Sequence, residues 1–82
     1  MPKLQAEYVR CYRDTEKEIR KLVWEQGVQF TVETMREVLV RMRRRKGARS
    51  PGEQGSYLAV MRFCNRWDPL FDFNLDYPEE GP

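Results

Sequence analysis

The first third of the chain repeats apolar or small residues every three or four positions, with charged residues on the opposite side. The apolar stripe consists of Leu4, Tyr8, Cys11, Tyr12, Thr15, Ile19, Leu22, Val23 and Gln26. This spacing predicts one amphipathic helix that ends at Gly27, a residue type favoured just beyond helix ends. Residues 15–18 also match a capping box, which leaves open a break and a second helix beginning after Asp14.

A second helix is predicted between Thr31, as its N-cap, and Gly47, which follows a run of cations. Its apolar stripe is Val32, Met35, Val38, Leu39 and Met42. The three residues before the cap, 28–30, are too few for a sheet of their own. They are predicted to form an extended connector that places Phe30 in the core.

A third helix is predicted to begin at Ser50, because Ser50, Pro51 and Glu53 provide a cap hydroxyl, a first-turn proline and a glutamate that can bond back to the cap. Its broad apolar face contains Tyr57, Leu58, Val60, Met61, Cys64 and Trp67. Pro69 should stop this helix near Trp67 or Asp68. Gly55 is expected to weaken its first turns by up to about 1 kcal/mol.

Residues 70–77 change to a period of two, with aromatic or aliphatic residues alternating with Asp72, Asn74 and Asp76. This alternation predicts a half-buried strand, which must pair with residues 28–30, with a second copy or with a partner's sheet edge.

The resulting fold class is mainly α, with three helices and a short C-terminal strand. That order resembles a winged helix-turn-helix, which implies that the third helix is presented to a DNA groove. Residues 1–77 should form one domain, and residues 78–82 a disordered end.

The net charge of +2 hides a strong asymmetry between the body and the C-terminus. Residues 1–66 contain fifteen bases and eight acids, whereas residues 67–82 contain five acids and no base. An 82-residue chain with 40% hydrophobic residues can build only a small core, and self-association would bury more apolar surface. A basic body is typical of proteins that bind phosphates or acidic surfaces.

The densest charge lies in residues 41–49, which hold six cations and no acid. One or two of these would suit the dipole of a helix C-terminus, so the remainder predict contacts with a polyanion. The third helix adds polar side chains that can reach bases or phosphates. The candidate nucleic-acid-binding residues are therefore Arg41, Arg43, Arg44, Arg45, Lys46, Arg49, Gln54, Ser56, Arg62 and Arg66.

Catalysis has little support in the sequence. The chain has no histidine, no cysteine pair with zinc-ligand spacing and no glycine-rich phosphate loop, so we expect neither an enzyme nor a metal or cofactor site. An apolar signal core and a run of about 20 apolar residues are both missing, which predicts no membrane association and a cytoplasmic protein, or a nuclear one in a eukaryote.

The leading hypothesis is a small regulatory protein that binds nucleic acid, DNA rather than RNA, and acts by occupancy. It would form a homodimer through the N-terminal helix. Trp24 and Trp67 are expected to lie in the core by default, and exposure of either ring would instead favour an obligate dimer. The alternative is a protein-interaction module that docks an acidic partner through the same arginines. In that case the acidic, aromatic C-terminal strand would contact a protein partner.

Overall fold

The computed structural model describes residues 3–67, and this part of the chain consists of two α-helices without any strand. Helix α1 spans Lys3–Arg44 and helix α2 spans Pro51–Trp67. The predicted strand at residues 70–77 and the predicted disordered end at 78–82 lie outside the described residues.

Helix α1 is interrupted at Gly27, where the backbone takes φ 89° and ψ 160°. A straight helix of 42 residues would be about 63 Å long, whereas the longest dimension of the protein is 36 Å. The helix therefore folds back at this single residue. We call residues 3–26 the first arm and residues 28–44 the second arm. The first arm has no break at Thr15, so the single-helix prediction is confirmed for this segment.

The predicted extended connector is wrong, because residues 28–30 are already helical. Phe30 is 66% exposed and does not enter the core. Thr31 is buried, and its hydroxyl donates to the Gly27 carbonyl at 2.7 Å, one turn back, rather than capping a helix start. The positive φ of Gly27 reverses the chain in one residue, so no connector is needed.

The start of α2 confirms the predicted capping box. The Glu53 amide donates to the Ser50 hydroxyl at 3.2 Å, and the Ser50 amide donates to Glu53 Oε1 at 2.8 Å. Two backbone donors that the helix cannot satisfy are thus paired reciprocally.

The core lies where α2 packs against both arms of α1. The buried residues of the core are Ile19, Met35, Leu39, Tyr57, Val60, Met61 and Cys64. Each of them belongs to one of the apolar stripes predicted from the sequence. Leu39 and Cys64 are fully buried. Burial of such side chains against each other is the main stabilising contribution in a domain of this size.

The closest approach between helices is made by the small residues of α2. Gly55 packs directly against the carbonyl oxygen of Tyr8, and Thr15 donates a hydrogen bond to the Ser56 hydroxyl at 2.8 Å. At the other end of α2, Trp67 lines the same groove as Trp24. Helix α2 therefore runs in the same direction as the first arm, and the second arm runs opposite to both.

The predicted winged helix-turn-helix arrangement of three helices is wrong. Residues 3–67 form a helical hairpin of two helices, the first of them bent, and contain no strand. Seven of the seventeen residues of α2 are buried against α1. A recognition helix must present one face to DNA, whereas α2 uses its widest face to hold the hairpin together. Within the described residues, neither helix has a stretch that is both long and apolar enough to cross a bilayer.

Candidate nucleic-acid interface

The predicted cations of residues 41–49 lie at the end of the second arm and in the loop that leads to α2. We call this region the basic end. Arg41, Arg44 and Lys46 are exposed, and their side chains make no hydrogen bond or ion pair with other residues of the 3–67 segment. Arg41 and Arg44 are three positions apart on the last turn of α1, so they lie on one side of it.

The other three cations of the basic end are engaged within the protein. Arg45 donates to the Ala48 carbonyl at 3.3 Å and forms an ion pair with Glu53 at 3.3 Å. Arg49 donates to the carbonyl of Met42 at 3.0 Å, and its guanidinium lies 4.0 Å from the ring centre of Tyr57. Arg43 is half-buried and also has a partner.

Arg45 and Arg49 thereby shape the loop itself. Arg49 ties the start of α2 to the end of α1, because it contacts a carbonyl of one helix and an aromatic ring of the other. A guanidinium over a tyrosine ring is attracted by the negative face of that ring. Tertiary contacts thus divide the six cations into three that are engaged within the protein, two of which organise the loop, and three that face solvent.

The Glu53 carboxylate contacts this loop through its ion pair with Arg45. The Ser50 amide that donates to it, together with the charges of Arg45 and Arg49, holds the pKa of the Glu53 carboxyl below its ordinary value. Hydrogen bonds to the charged form and nearby cations both favour ionisation. The ionised Glu53 carboxylate therefore places a negative charge at the start of α2.

The lowered pKa of Glu53 predicts an acid-sensitive contribution to stability. A carboxyl with a lower pKa in the folded state stabilises the fold above its unfolded pKa, and this stabilisation is lost as the pH falls through the folded pKa. We expect Glu53→Gln to lose less stability than the unmodified chain when thermal unfolding is followed from pH ~7 to ~3. Glu25→Gln, at another exposed glutamate, is the control. Equal acid sensitivity of the Glu53→Gln variant and the unmodified chain would contradict the prediction.

The predicted contacts on α2 do not join the basic end as a group. Gln54 is exposed beside it, but the Ser56 hydroxyl is used by Thr15. Arg62 and Arg66 lie about 16 and 22 Å beyond the start of the helix. Arg62 donates to the Tyr12 hydroxyl at 3.0 Å, and the Arg66 guanidinium lies 5.7 Å from the Trp67 ring. The structure therefore separates the ten candidate residues into two regions.

Sequence reasoning missed a second surface, an open groove of about 700 Å³ between the first arm and α2. Trp24 stands beside it with 89% of its surface exposed, and Trp67 is 49% exposed. The expectation that both rings lie in the core is wrong, because Trp24 and Trp67 are both exposed. The available signal for Trp24 was its position one residue past Val23, about 100° around the helix from that stripe member. We call this surface the aromatic groove.

Comparisons with protein families, with characterised proteins and with solved structures give no significant match for this chain. The geometry and charge of the two surfaces are thus the grounds for the proposals that follow.

Proposed function

We propose that the protein binds nucleic acid through phosphate contacts at its basic end and acts by occupying its target. The observation that carries this proposal is the set of three exposed cations, Arg41, Arg44 and Lys46, that have no partner within residues 3–67. Phosphate groups would provide these three cations with the negatively charged partners that residues 3–67 do not provide. Binding of this kind releases counterions, so its affinity falls as salt rises.

The contact surface is the outer side of the last turn of α1. The start of α2 is less suited to a phosphate, because the Glu53 carboxylate already accepts the Ser50 amide and pairs with Arg45. A second anion placed there would be repelled. Arg41 and Arg44, in contrast, project from a helical turn without a described carboxylate partner.

The expected binding depends on charge rather than on base sequence. Beside the basic end, α2 offers Gln54 as an exposed polar side chain, whereas Ser56 is used within the fold. Base edges are discriminated by several side chains aligned in one groove, and the buried face of α2 does not permit such an alignment here. The mechanism is therefore occupancy of the phosphate backbone.

Replacing Arg41, Arg44 and Lys46 together by alanine should weaken nucleic-acid binding and reduce its salt dependence. Each lost phosphate contact lowers the slope of log K against log salt by about 0.9, so we expect a total reduction of about 2 to 3. Fluorescence anisotropy with double-stranded DNA, single-stranded DNA and RNA at several salt concentrations measures both effects.

The matched control is alanine at Arg13, Lys17 and Lys21, three exposed cations on the first arm whose loss changes the net charge equally. It should retain most of the affinity. Equal losses from the two triple variants would show that net charge alone drives binding and would overturn the proposed site. Failure of the unmodified chain to bind any of the three nucleic acids at low salt would overturn the function itself.

A further inference from the structure

The wall of the aromatic groove formed by the first arm carries four side chains spaced one helical turn apart, namely Tyr12, Glu16, Arg20 and Trp24. Residues separated by four positions lie along one ridge of a helix. We call this row the ladder. It has an aromatic ring at each end and two opposite charges in the middle.

Three members of the ladder, Trp24, Glu16 and Arg20, are available for contacts with another molecule. Trp24 is 89% exposed, although tryptophan is usually well buried and is enriched in protein interfaces. Neither Glu16 nor Arg20 forms an ion pair within 4.0 Å with any residue between Lys3 and Trp67. The ladder thus presents an unburied ring together with one acid and one base, of which Glu16 also interacts electrostatically with Arg62 of α2.

We propose that the ladder is the interface of a homodimer in which the first arms of two copies pack antiparallel. A two-fold axis beside residue 18 pairs residue 16 with residue 20 of the second copy, and residue 12 with residue 24. Glu16 then faces Arg20, and Tyr12 faces Trp24, each contact occurring twice. Packing two such ridges side by side corresponds to the common helix crossing near −50°.

The pattern fits a second copy better than other occupants because it is self-complementary. In an isologous interface, the same surface patch of both copies is in contact. Antiparallel packing of two ladders places each acid opposite a base and each ring opposite a ring. The segment 68–82 of the same chain contains five acids and no base, so it matches the groove's arginines in charge but offers no cation to Glu16.

A charge-swap experiment tests the pairing directly. Sedimentation equilibrium of the full chain should show a dimer, and Glu16→Arg or Arg20→Glu alone should raise the dimer Kd by about tenfold or more, since like charges then face each other twice. The combined Glu16→Arg and Arg20→Glu variant should restore dimerisation. Lys17→Glu, one position off the ladder, is the control and should leave the Kd unchanged.

Removal of the exposed ring supplies a second variant. Trp24→Ala should raise the Kd by about thirtyfold, as expected for a tryptophan that becomes buried in an interface. Phe30→Ala, at an exposed phenylalanine outside the ladder, should leave it unchanged. Circular dichroism verifies that both variants stay folded, which is expected because both side chains are exposed.

Three outcomes would overturn the dimer. Acrylamide quenching of a Trp67→Phe variant reports on Trp24 alone, and a monomer in which Trp24 is shielded would show that the chain's own C-terminal segment covers the groove. A monomer with freely quenched Trp24 would show that no part of the chain covers it. A dimer unaffected by Trp24→Ala and by the single charge reversals would place the interface on another face. None of these results depends on nucleic-acid binding.

Discussion

Gly55→Ala is expected to lower the free energy of unfolding by about 3 kcal/mol, at the upper end of the usual overpacking cost. A β-carbon at this position would collide with the carbonyl oxygen of Tyr8 and lie 3.1 Å from the amide of Tyr12. Both are backbone atoms, which cannot rotate out of the way. Either α2 must move away from the first arm, or the arm must bend. Urea unfolding monitored by circular dichroism measures the loss.

Two neighbouring positions provide controls for Gly55. Gln54→Ala, at an exposed helical site, should change stability by less than about 0.5 kcal/mol. Gly52→Ala should have an intermediate cost, because its β-carbon would meet flexible side-chain atoms, the Cys11 sulfur at 2.9 Å and the Glu7 carboxylate at 3.0 Å. If Gly55→Ala proved as mild as Gln54→Ala, the close packing of α2 on the first arm would be wrong.

Gly27→Ala is the second change with a large expected effect, about 2 to 3 kcal/mol of lost stability. The dihedral angles of Gly27, φ 89° and ψ 160°, lie in a region that is essentially restricted to glycine. Nothing lies within 4 Å of the position of an added β-carbon, so the cost is conformational rather than steric crowding. Alanine also favours continuation of the helix.

The structural consequence of Gly27→Ala is an opened hairpin. A continuous helix of residues 3–44 would separate Ile19 from Leu39 and expose their core faces, so we expect partly opened or arm-exchanged molecules. Small-angle scattering should detect the longer particle, and chemical denaturation the reduced stability. Gln29→Ala, at an exposed helical residue nearby, is the control. An unchanged scattering curve together with unchanged stability would contradict the assigned role of Gly27.

The helical stripes could be predicted from the sequence because they depend on local periodicity. Ile19, Leu39 and Val60 were each placed on an apolar face, and each is buried. The cap at Ser50 was equally accessible, since the donors and acceptors of a capping box lie within four residues of each other. Such features need no knowledge of how the helices pack.

The errors arose where one residue has two possible structural uses. The sequence predicts a helix end at Gly27 followed by an extended connector, whereas Gly27 forms the whole turn by itself. It also predicts that Gly55 weakens α2, whereas Gly55 permits contact with the first arm. The small residues Gly52, Gly55 and Ala59 lie on one side of α2, and this spacing was the available signal for close helix packing.

The candidate site was predicted only in part. The density of cations at residues 41–49 located the basic end, but it could not show that Arg45 and Arg49 are used inside the protein, because their partners Glu53 and Tyr57 belong to the next helix. The distance of Arg66 from this region was equally inaccessible. It follows from the direction in which α2 packs.

The apolar stripes, the cap of α2 and the position of the positive charge follow from local sequence, because each depends on residues within about one or two helical turns of each other. Which arginines remain available, which side of α2 is buried and the exposure of Trp24 beside a groove depend on packing between the helices. These properties arise from contacts between residues far apart in the chain, and the backbone conformation at Gly27 sets which of those residues meet.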